Sequence, residues 1–104
     1  MNVKPEVEEA LRRLRIDDDL ADDVPFAIEQ AHAETEAYLD RRLYADAGAL
    51  ATAVDLSGKV VTADMIAAQL LLVDVLICNN SEKERENKHA AALNMLRRHR
   101  FMGA

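Results

Sequence analysis

The sequence predicts an all-α fold, a small bundle of four to five helices around one central hydrophobic helix that runs from about Thr62 to Asn79. Half of the residues are hydrophobic, yet there are only two Phe, two Tyr and no Trp, so Ala and Leu must fill the core, as is typical of helical proteins. Three Gly and two Pro are too few to form the many turns that connect the strands of a β protein. Residues 1–104 are predicted to form a single helical domain, because a chain of this length can bury one modest core but not two.

The first predicted helix runs from about Pro5 to Leu14. Proline is well suited to a first helical turn, where its missing N–H is not needed. Val7, Ala10, Leu11 and Leu14 repeat at the i, i+3, i+4, i+7 spacing of one helix face. Acids lie near the start and arginines near the end, as the helix dipole favours.

An acidic segment follows, with the five aspartates Asp17, Asp18, Asp19, Asp22 and Asp23. A calcium loop of the EF-hand type needs Gly at its sixth position as well as Glu at its twelfth, and no starting Asp here has Gly at the sixth position. The segment is therefore predicted to be an acidic turn that caps the next helix.

The second predicted helix is the longest and extends from about Asp23 to Arg42, with Pro25 in its first turn. Its inner face is predicted to consist of Val24, Ile28, Ala31, Thr35, Tyr38 or Leu39, and Leu43.

A short third helix is predicted from Ala47 to Val54, capped by Asp46. Its Leu50, Ala51 and Val54 share one face, which is expected to be buried. The helix is predicted to end at Ser57-Gly58, and Lys59-Val60-Val61 to lead in extended conformation into the central helix.

The central helix is predicted to begin at Thr62, a good N-cap residue, with Asp64 in the first turn. The apolar residues that follow leave no polar face, so the helix must be surrounded by its own fold or by neighbouring subunits. A membrane span is not expected, because the run is shorter than the roughly 20 residues required and Gln69 and Asp74 interrupt it.

Residues 80–84 are predicted to be a solvated connection, and a last helix to begin at Glu84 or Glu86. Its inward residues are predicted to be His89, Ala92, Leu93 and Leu96. The chain then becomes basic, with Arg97, Arg98, His99 and Arg100 before Phe101. These arginines have two interpretations: they cap the C-terminal end of the helix, or they contact an acidic partner or DNA phosphate.

No catalytic, cofactor-binding or metal site is predicted, and the chain is not expected to be an enzyme. The Glu29-x-x-His32 pair, with Glu36 one turn on, has the spacing of a di-iron half-site, and Glu86-x-x-His89 repeats it. A complete site also needs a Glu from each of two further helices, and the central helix contains no Glu. A solvated polar face is the favoured interpretation. The single cysteine, Cys78, is expected to be an unreactive packing residue and fits a reducing cytoplasm, and no signal peptide is visible.

The net charge of −6 is unevenly distributed. Residues 1–52 carry 13 acids and 6 bases, whereas residues 53–104 carry 6 acids and 7 bases. An acidic surface does not hold DNA, because affinity for DNA comes from basic side chains that displace counterions. Such a surface suits a protein past which DNA slides.

Four short phrases occur in order along the chain. They are Leu14-Arg15-Ile16-Asp17 before the acidic segment, Arg41-Arg42-Leu43-Tyr44 after the second helix, Ala68-Gln69-Leu70-Leu71-Leu72-Val73 in the central helix, and Met95-Leu96-Arg97-Arg98-His99-Arg100 near the end. In these phrases and their order, the sequence resembles the small head–tail connector (adaptor) proteins of long-tailed bacteriophages and prophages. The family often continues its apolar helix with a Tyr-Glu-Asn-Arg phrase. Here the residues are Ile77-Cys78-Asn79-Asn80, so the contact made by that Tyr and Arg does not carry over.

The resemblance implies a non-enzymatic virion protein, made in the host bacterial cytoplasm. It would assemble as a homo-oligomeric ring, expected to be a dodecamer, beneath the portal in the neck between capsid and tail. The ring would extend the DNA channel, without sequence-specific DNA binding, and dock the downstream neck or tail completion protein. In this setting Arg97, Arg98, Arg100 and Phe101 are candidate contacts with a neighbouring subunit or the portal, and the five aspartates are candidate channel-facing acids.

A second hypothesis is a small helical regulatory or binding module that grips a partner helix in an exposed groove. A metal protein or enzyme centred on Glu29 and His32 is a third and is disfavoured because the central helix supplies no Glu to complete such a site. Oligomeric state separates the first two hypotheses.

Overall fold

The computed structural model describes residues 2–101 and confirms the predicted all-α fold. The elements, in chain order, are α1 (Val7–Leu14), a 3-10 helix (Asp18–Asp23), α2 (Val24–Leu39), β1 (Leu43–Tyr44), α3 (Ala47–Ala53), β2 (Lys59–Val60), α4 (Ala63–Ile77), α5 (Glu82–Leu96) and a second 3-10 helix (Arg97–His99). None of the helices between residues 2 and 101 combines the length and hydropathy that a membrane crossing requires.

The core forms where α4 packs between α2 and α5, with α1 across one side. Met65, Leu72 and Val73 of α4 are fully or almost fully buried, as expected for the central helix. The helix is not covered all round, however, because Leu71 is only half-buried and Leu76 is 38% exposed. The buried polar Gln69 is satisfied, since its amide donates to the carbonyl of Val3 at 2.9 Å.

Helix α2 presents the predicted inner face to this core. Of the predicted residues, Val24, Ile28, Ala31, Thr35 and Leu39 are buried, and Leu43 is buried just beyond the helix. Ala27 is buried as well. The helix ends at Leu39, before the predicted Arg42, because Asp40 adopts the left-handed conformation (φ 54°). The N–H of Asp40 then donates to the carbonyl of Glu36, which closes the last turn.

A two-stranded parallel sheet connects the end of α2 to the start of α4. The predicted extended segment Lys59-Val60-Val61 supplies β2, and its pairing with β1 places Leu43 beside Lys59 and Tyr44 beside Val60. The sequence did not predict this pairing, because each strand has only two residues. Gly58 precedes β2 in a tight space: a Cβ there would lie 2.6 Å from both Leu50 Cδ1 and Tyr44 Cε2.

Helix α3 begins as predicted, since the Asp46 carboxylate accepts a hydrogen bond from the N–H of Ala49 at 2.8 Å. Its predicted buried face is wrong. The helix stops at Ala53, and Val54 turns into the left-handed conformation with its side chain 79% exposed. Ala51 is also exposed, and only Leu50 of the three residues is partly covered.

Helix α5 begins earlier than predicted. Ser81 and Glu84 form a capping box, in which the Ser81 hydroxyl accepts from the N–H of Glu84 and the Glu84 carboxylate accepts from the N–H of Ser81. The predicted connection over residues 80–84 is therefore wrong, and the helix starts at Glu82. Residues 81–87 are exposed, so this end of α5 projects into solvent, whereas Ala92 and Leu96 are buried as predicted.

Candidate functional site

The acidic turn, residues 17–23, lies on the surface. Its five aspartates are all exposed, and the segment contains no basic residue. The prediction that it caps α2 is wrong: Asp23 already has helical backbone angles (φ −86°, ψ −15°) and its side chain makes no capping hydrogen bond. The aspartates are thus solvated charges that form a compact anionic surface.

The basic residues near the C-terminus make more contacts within the chain than the sequence predicted. Arg98 donates to the Asp64 carboxylate at 2.9 Å, and the guanidinium of Arg100 lies over the Tyr38 ring at 4.8 Å from its centroid. Phe101 stacks in the same way against Arg41, at 5.9 Å. Of the four residues predicted to contact a neighbouring subunit or the portal, three therefore have partners within the chain. Arg97 is exposed.

Arg41 is the principal tertiary anchor of this end of the molecule, and no pattern in the sequence predicted this role. Its guanidinium donates to the carbonyls of Ser57 (2.8 Å), Gly58 (3.0 Å) and His99 (3.2 Å). One side chain thereby ties the end of α2 to the loop before β2 and to the C-terminal 3-10 helix. The only sequence signal was its place in the Arg41-Arg42-Leu43-Tyr44 phrase.

Asp64 holds the same C-terminal segment from α4. Its carboxylate accepts hydrogen bonds from Thr62 and Arg98 and lies 2.8 Å from Nε2 of the buried His99. Thr62 is the N-cap residue as predicted, but its hydroxyl binds Asp64 instead of a backbone amide. Burial raises the pKa of the Asp64 carboxyl, but the bonds from Thr62, His99 and Arg98 outweigh burial and hold the pKa well below its usual range.

Asp64→Asn should lower the free energy of unfolding at pH 7 by about 2 kcal/mol, the typical contribution of a hydrogen bond to a charged group. Because the folded-state pKa of Asp64 is depressed, this stabilisation is present above the ordinary carboxyl value of 3.8 and is lost as the pH falls below it. Urea unfolding of both proteins between pH 7 and pH 3 measures the difference. We expect it to be constant near neutral pH and to shrink in acid. Asp19→Asn, in the exposed acidic turn, is the control and should show neither effect.

The Glu29, His32 and Glu36 face is only partly solvated, which corrects the prediction. Glu29 is exposed and pairs with Lys4 at 2.5 Å, a bond that lowers the pKa of its carboxyl. His32 Nδ1 instead lies 3.3 Å from the Gln69 amide oxygen, and Glu36 accepts from the N–H of Leu43 at 2.8 Å. Each side chain thus has a structural partner. Across residues 2–101, no group of three or more His, Cys, Asp or Glu could hold a metal ion.

Cys78 follows α4 and is half-buried. Burial, reinforced by the nearby Asp74 carboxylate, raises the pKa of its thiol. The reactive thiolate is therefore disfavoured at neutral pH.

The most exposed large apolar side chains of residues 2–101 lie at the two ends of α2, whereas Val7 and Leu76 are each 38% exposed. Phe26, in the first turn, is 77% exposed. Beyond the other end, α3 and the loop that follows form an arm, residues 47–58, in which Val54 is 79% and Leu56 98% exposed. The helical periodicity predicted a buried Val54 and indicated nothing for Leu56. The signal that could have marked them is their position on either side of Asp55 in a loop that ends in Ser57-Gly58.

No protein-family model, no curated protein and no solved structure matches the chain.

Proposed function

We propose that the chain is a structural head–tail connector (adaptor) of a long-tailed bacteriophage. In this proposal it forms a ring under the portal in the virion neck, extends the DNA channel and docks the next neck or tail component. The four sequence phrases support the family, and the two exposed apolar sites at opposite ends of α2 support ring assembly.

The separation of those sites is the observation that carries the proposal. Phe26 and the end of α2 at Leu39 are 13 residues apart, roughly 20 Å along a helix that rises 1.5 Å per residue. Two different apolar surfaces at opposite ends of one domain favour a head-to-tail contact, in which each copy uses one surface on each neighbour. Contacts of this kind generate a closed ring when the rotation between copies closes.

The charge distribution supports a channel through which DNA moves freely. Five exposed aspartates in the acidic turn repel the phosphate backbone, and the arginines that could attract it are partly engaged with Asp64 and Tyr38. With the acidic turn facing the lumen, DNA would pass without being held.

The direct test is to mix the purified chain with purified portal rings. Light scattering after size-exclusion chromatography and negative-stain microscopy then give the stoichiometry and shape of the products. We expect a second ring stacked on the portal. A stable dimer that does not bind the portal but binds a partner helix would instead identify a regulatory module.

If the acidic turn faces the channel, Asp18→Lys with Asp22→Lys should make the assembled ring retain DNA in a salt-sensitive manner. Glu82→Lys with Glu86→Lys makes the same change in charge on the projecting end of α5 and is the matched control. Retention is measured by filter binding of portal–ring particles with linear DNA at increasing salt. Equal retention by both rings would place the acidic turn outside the channel.

A further inference from the structure

A cleft lies at the start of α2, between that helix and the segment that leads into α1. Its volume is about 430 Å³. The apolar part of its lining comes from Val3, Pro5, Val7, Pro25 and Ile28. A concave site with this lining can receive an apolar side chain of a partner.

The cleft is held in shape by contacts within the chain. The Gln69 amide of α4 donates to the carbonyl of Val3 at 2.9 Å, and the Lys4 ammonium group pairs with Glu29 of α2 at 2.5 Å. Pro5, the next residue, is buried. The wall formed by residues 3–5 is therefore fixed to two helices, and a partner binds it without the entropic cost of ordering it.

The charges in the lining of the cleft do not balance. Lys4, Glu6 and Glu29 line it, and the single ammonium group is paired with Glu29. Glu6 is exposed and accepts a hydrogen bond from the neutral amide of Asn2 at 3.0 Å. Among residues 2–101, no Lys, Arg or His forms an ion pair with Glu6. The cleft thus has an uncompensated carboxylate beside its apolar surface.

The surroundings of the cleft are acidic as well. Asp22 and Asp23, both exposed, directly precede the first turn of α2, which contains Pro25. A neighbouring depression shares Lys4 and Glu6 with the cleft and adds two acids and one base, Glu8, Glu9 and Arg12. Negative potential of this kind repels nucleic-acid phosphates and anionic lipid headgroups and attracts lysine and arginine side chains. The cleft is therefore suited to a cationic segment of protein.

We propose that this cleft binds a segment of a partner protein in which an apolar side chain lies next to lysine or arginine. The apolar side chain enters the cleft, and the cation pairs with Glu6. Burial of the apolar side chain supplies most of the affinity, because an exposed ion pair contributes little. The charge decides which apolar segments bind.

The inference goes beyond the adaptor function and does not require it. In the proposed neck, the partner would be the component that the ring docks. The cleft is complete within one copy of the chain, so binding can be tested on the chain alone, without the portal.

Peptide binding, measured by fluorescence anisotropy, tests this selection by charge. Three labelled peptides share the core Leu-Val-Leu and differ in the two residues on each side, which are lysine, glutamine or glutamate. We expect the lysine peptide to bind at least about fivefold more tightly than the glutamate peptide, because Glu6 attracts the cation and repels the anion. In about 1 M salt, where the Debye length is about 3 Å, most of that difference should disappear. Equal affinities of these two peptides in low salt, or no binding of any of the three at millimolar concentration, would overturn the proposal.

Charge reversal at Glu6 distinguishes the cleft from the overall charge of the protein. Glu6→Lys adds two charge units and changes the formal net charge only from −6 to −4, so a general attraction of the lysine peptide would persist. If the cleft is the site, the preference should instead reverse toward the glutamate peptide. Glu86→Lys makes the same change at an exposed position on α5 and should retain the preference for lysine. Equal effects of the two variants would show that the peptides bind elsewhere. Glu6→Gln, the milder change, should remove most of the preference and replaces Glu6→Lys if that variant melts at a lower temperature.

A second pair of variants tests the apolar part of the contact. Val7 lines the cleft and Leu76 lies near the end of α4, and both side chains are 38% exposed. Val7→Gln should weaken the binding of all three peptides at least about threefold and keep their order, because they share the apolar core. Leu76→Gln, matched in exposure, should leave all three affinities unchanged. If Val7→Gln had no effect, the apolar lining would not be the binding surface.

Ring formation on the portal is measured separately with the unmodified chain. Rings together with no charge-selective peptide binding would refute the cleft contact and leave the adaptor function standing. Selective binding that depends on Glu6, without rings, would support the cleft contact and refute the adaptor function.

Discussion

Leu72→Asp should yield no soluble folded protein, whereas Leu71→Asp should fold. Leu72 is 1% exposed in the middle of α4, so the substitution removes a packed side chain, at about 2–5 kcal/mol, and leaves an unpaired charge in the core. That loss is comparable with the whole stability of a small domain, about 5–15 kcal/mol. Sequence reasoning predicts the same outcome for both leucines, but Leu71 is half-buried and lines a surface cleft beside Arg13, where a carboxylate can be solvated.

Soluble yield and thermal melting of the two variants, expressed in parallel, measure this difference. Leu71→Asp is the matched control, because it makes the identical chemical change one residue away on the same helix. A soluble Leu72→Asp protein with the melting temperature of the wild type would show that α4 is not the centre of the core.

Arg41→Ala should be the most destabilising substitution of a charged residue at the end of α2. It removes three hydrogen bonds from a charged donor and the contact with Phe101, and we expect a loss of about 3 kcal/mol in the free energy of unfolding. For a domain of this size the melting temperature should fall by roughly 12–24 °C. Arg41→Lys should lose most of the same stability, because an ammonium group cannot span three carbonyls in the fixed geometry of a guanidinium.

Arg42→Ala is the control. Arg42 is the next residue and is exposed, so its replacement should change the free energy of unfolding by no more than about 0.5 kcal/mol. Denaturant melts of the four proteins provide the comparison. Unfolding of Arg41→Lys at the same denaturant concentration as the wild type would show that the planar geometry of the guanidinium is not needed to hold the C-terminal segment.

The helical core was predictable because its periodicity is strong and local. Val24, Ile28, Ala31, Thr35 and Leu39 lie one helical turn apart in sequence, and all are buried on one face of α2. The N-cap position of Asp46 was predictable for the same reason, since a cap depends on residues within one turn.

The remaining features depend on contacts between distant residues. The exposure of Val54 is one of them, because it follows from the way α3 stops at Ala53 and packs on the two short strands. The partners of Arg41 lie 16, 17 and 58 residues away. The capping box of α5 is different, because Ser81 and Glu84 carry its usual sequence signature although the polar residues around them predict a solvated connection.

The span of the Arg41 contacts has a consequence for the order of folding. Helices α4 and α5 are joined by a short connection and form an antiparallel pair from neighbouring parts of the chain, whereas the bond from Arg41 to His99 closes a loop of 58 residues. Closing a long loop costs more entropy than closing a short one, so the helical pair is expected in the folding transition state and the Arg41 contacts after it. Interactions that form after the transition state govern the unfolding rate. Loss of the Arg41 contacts should then speed unfolding and leave the folding rate almost unchanged.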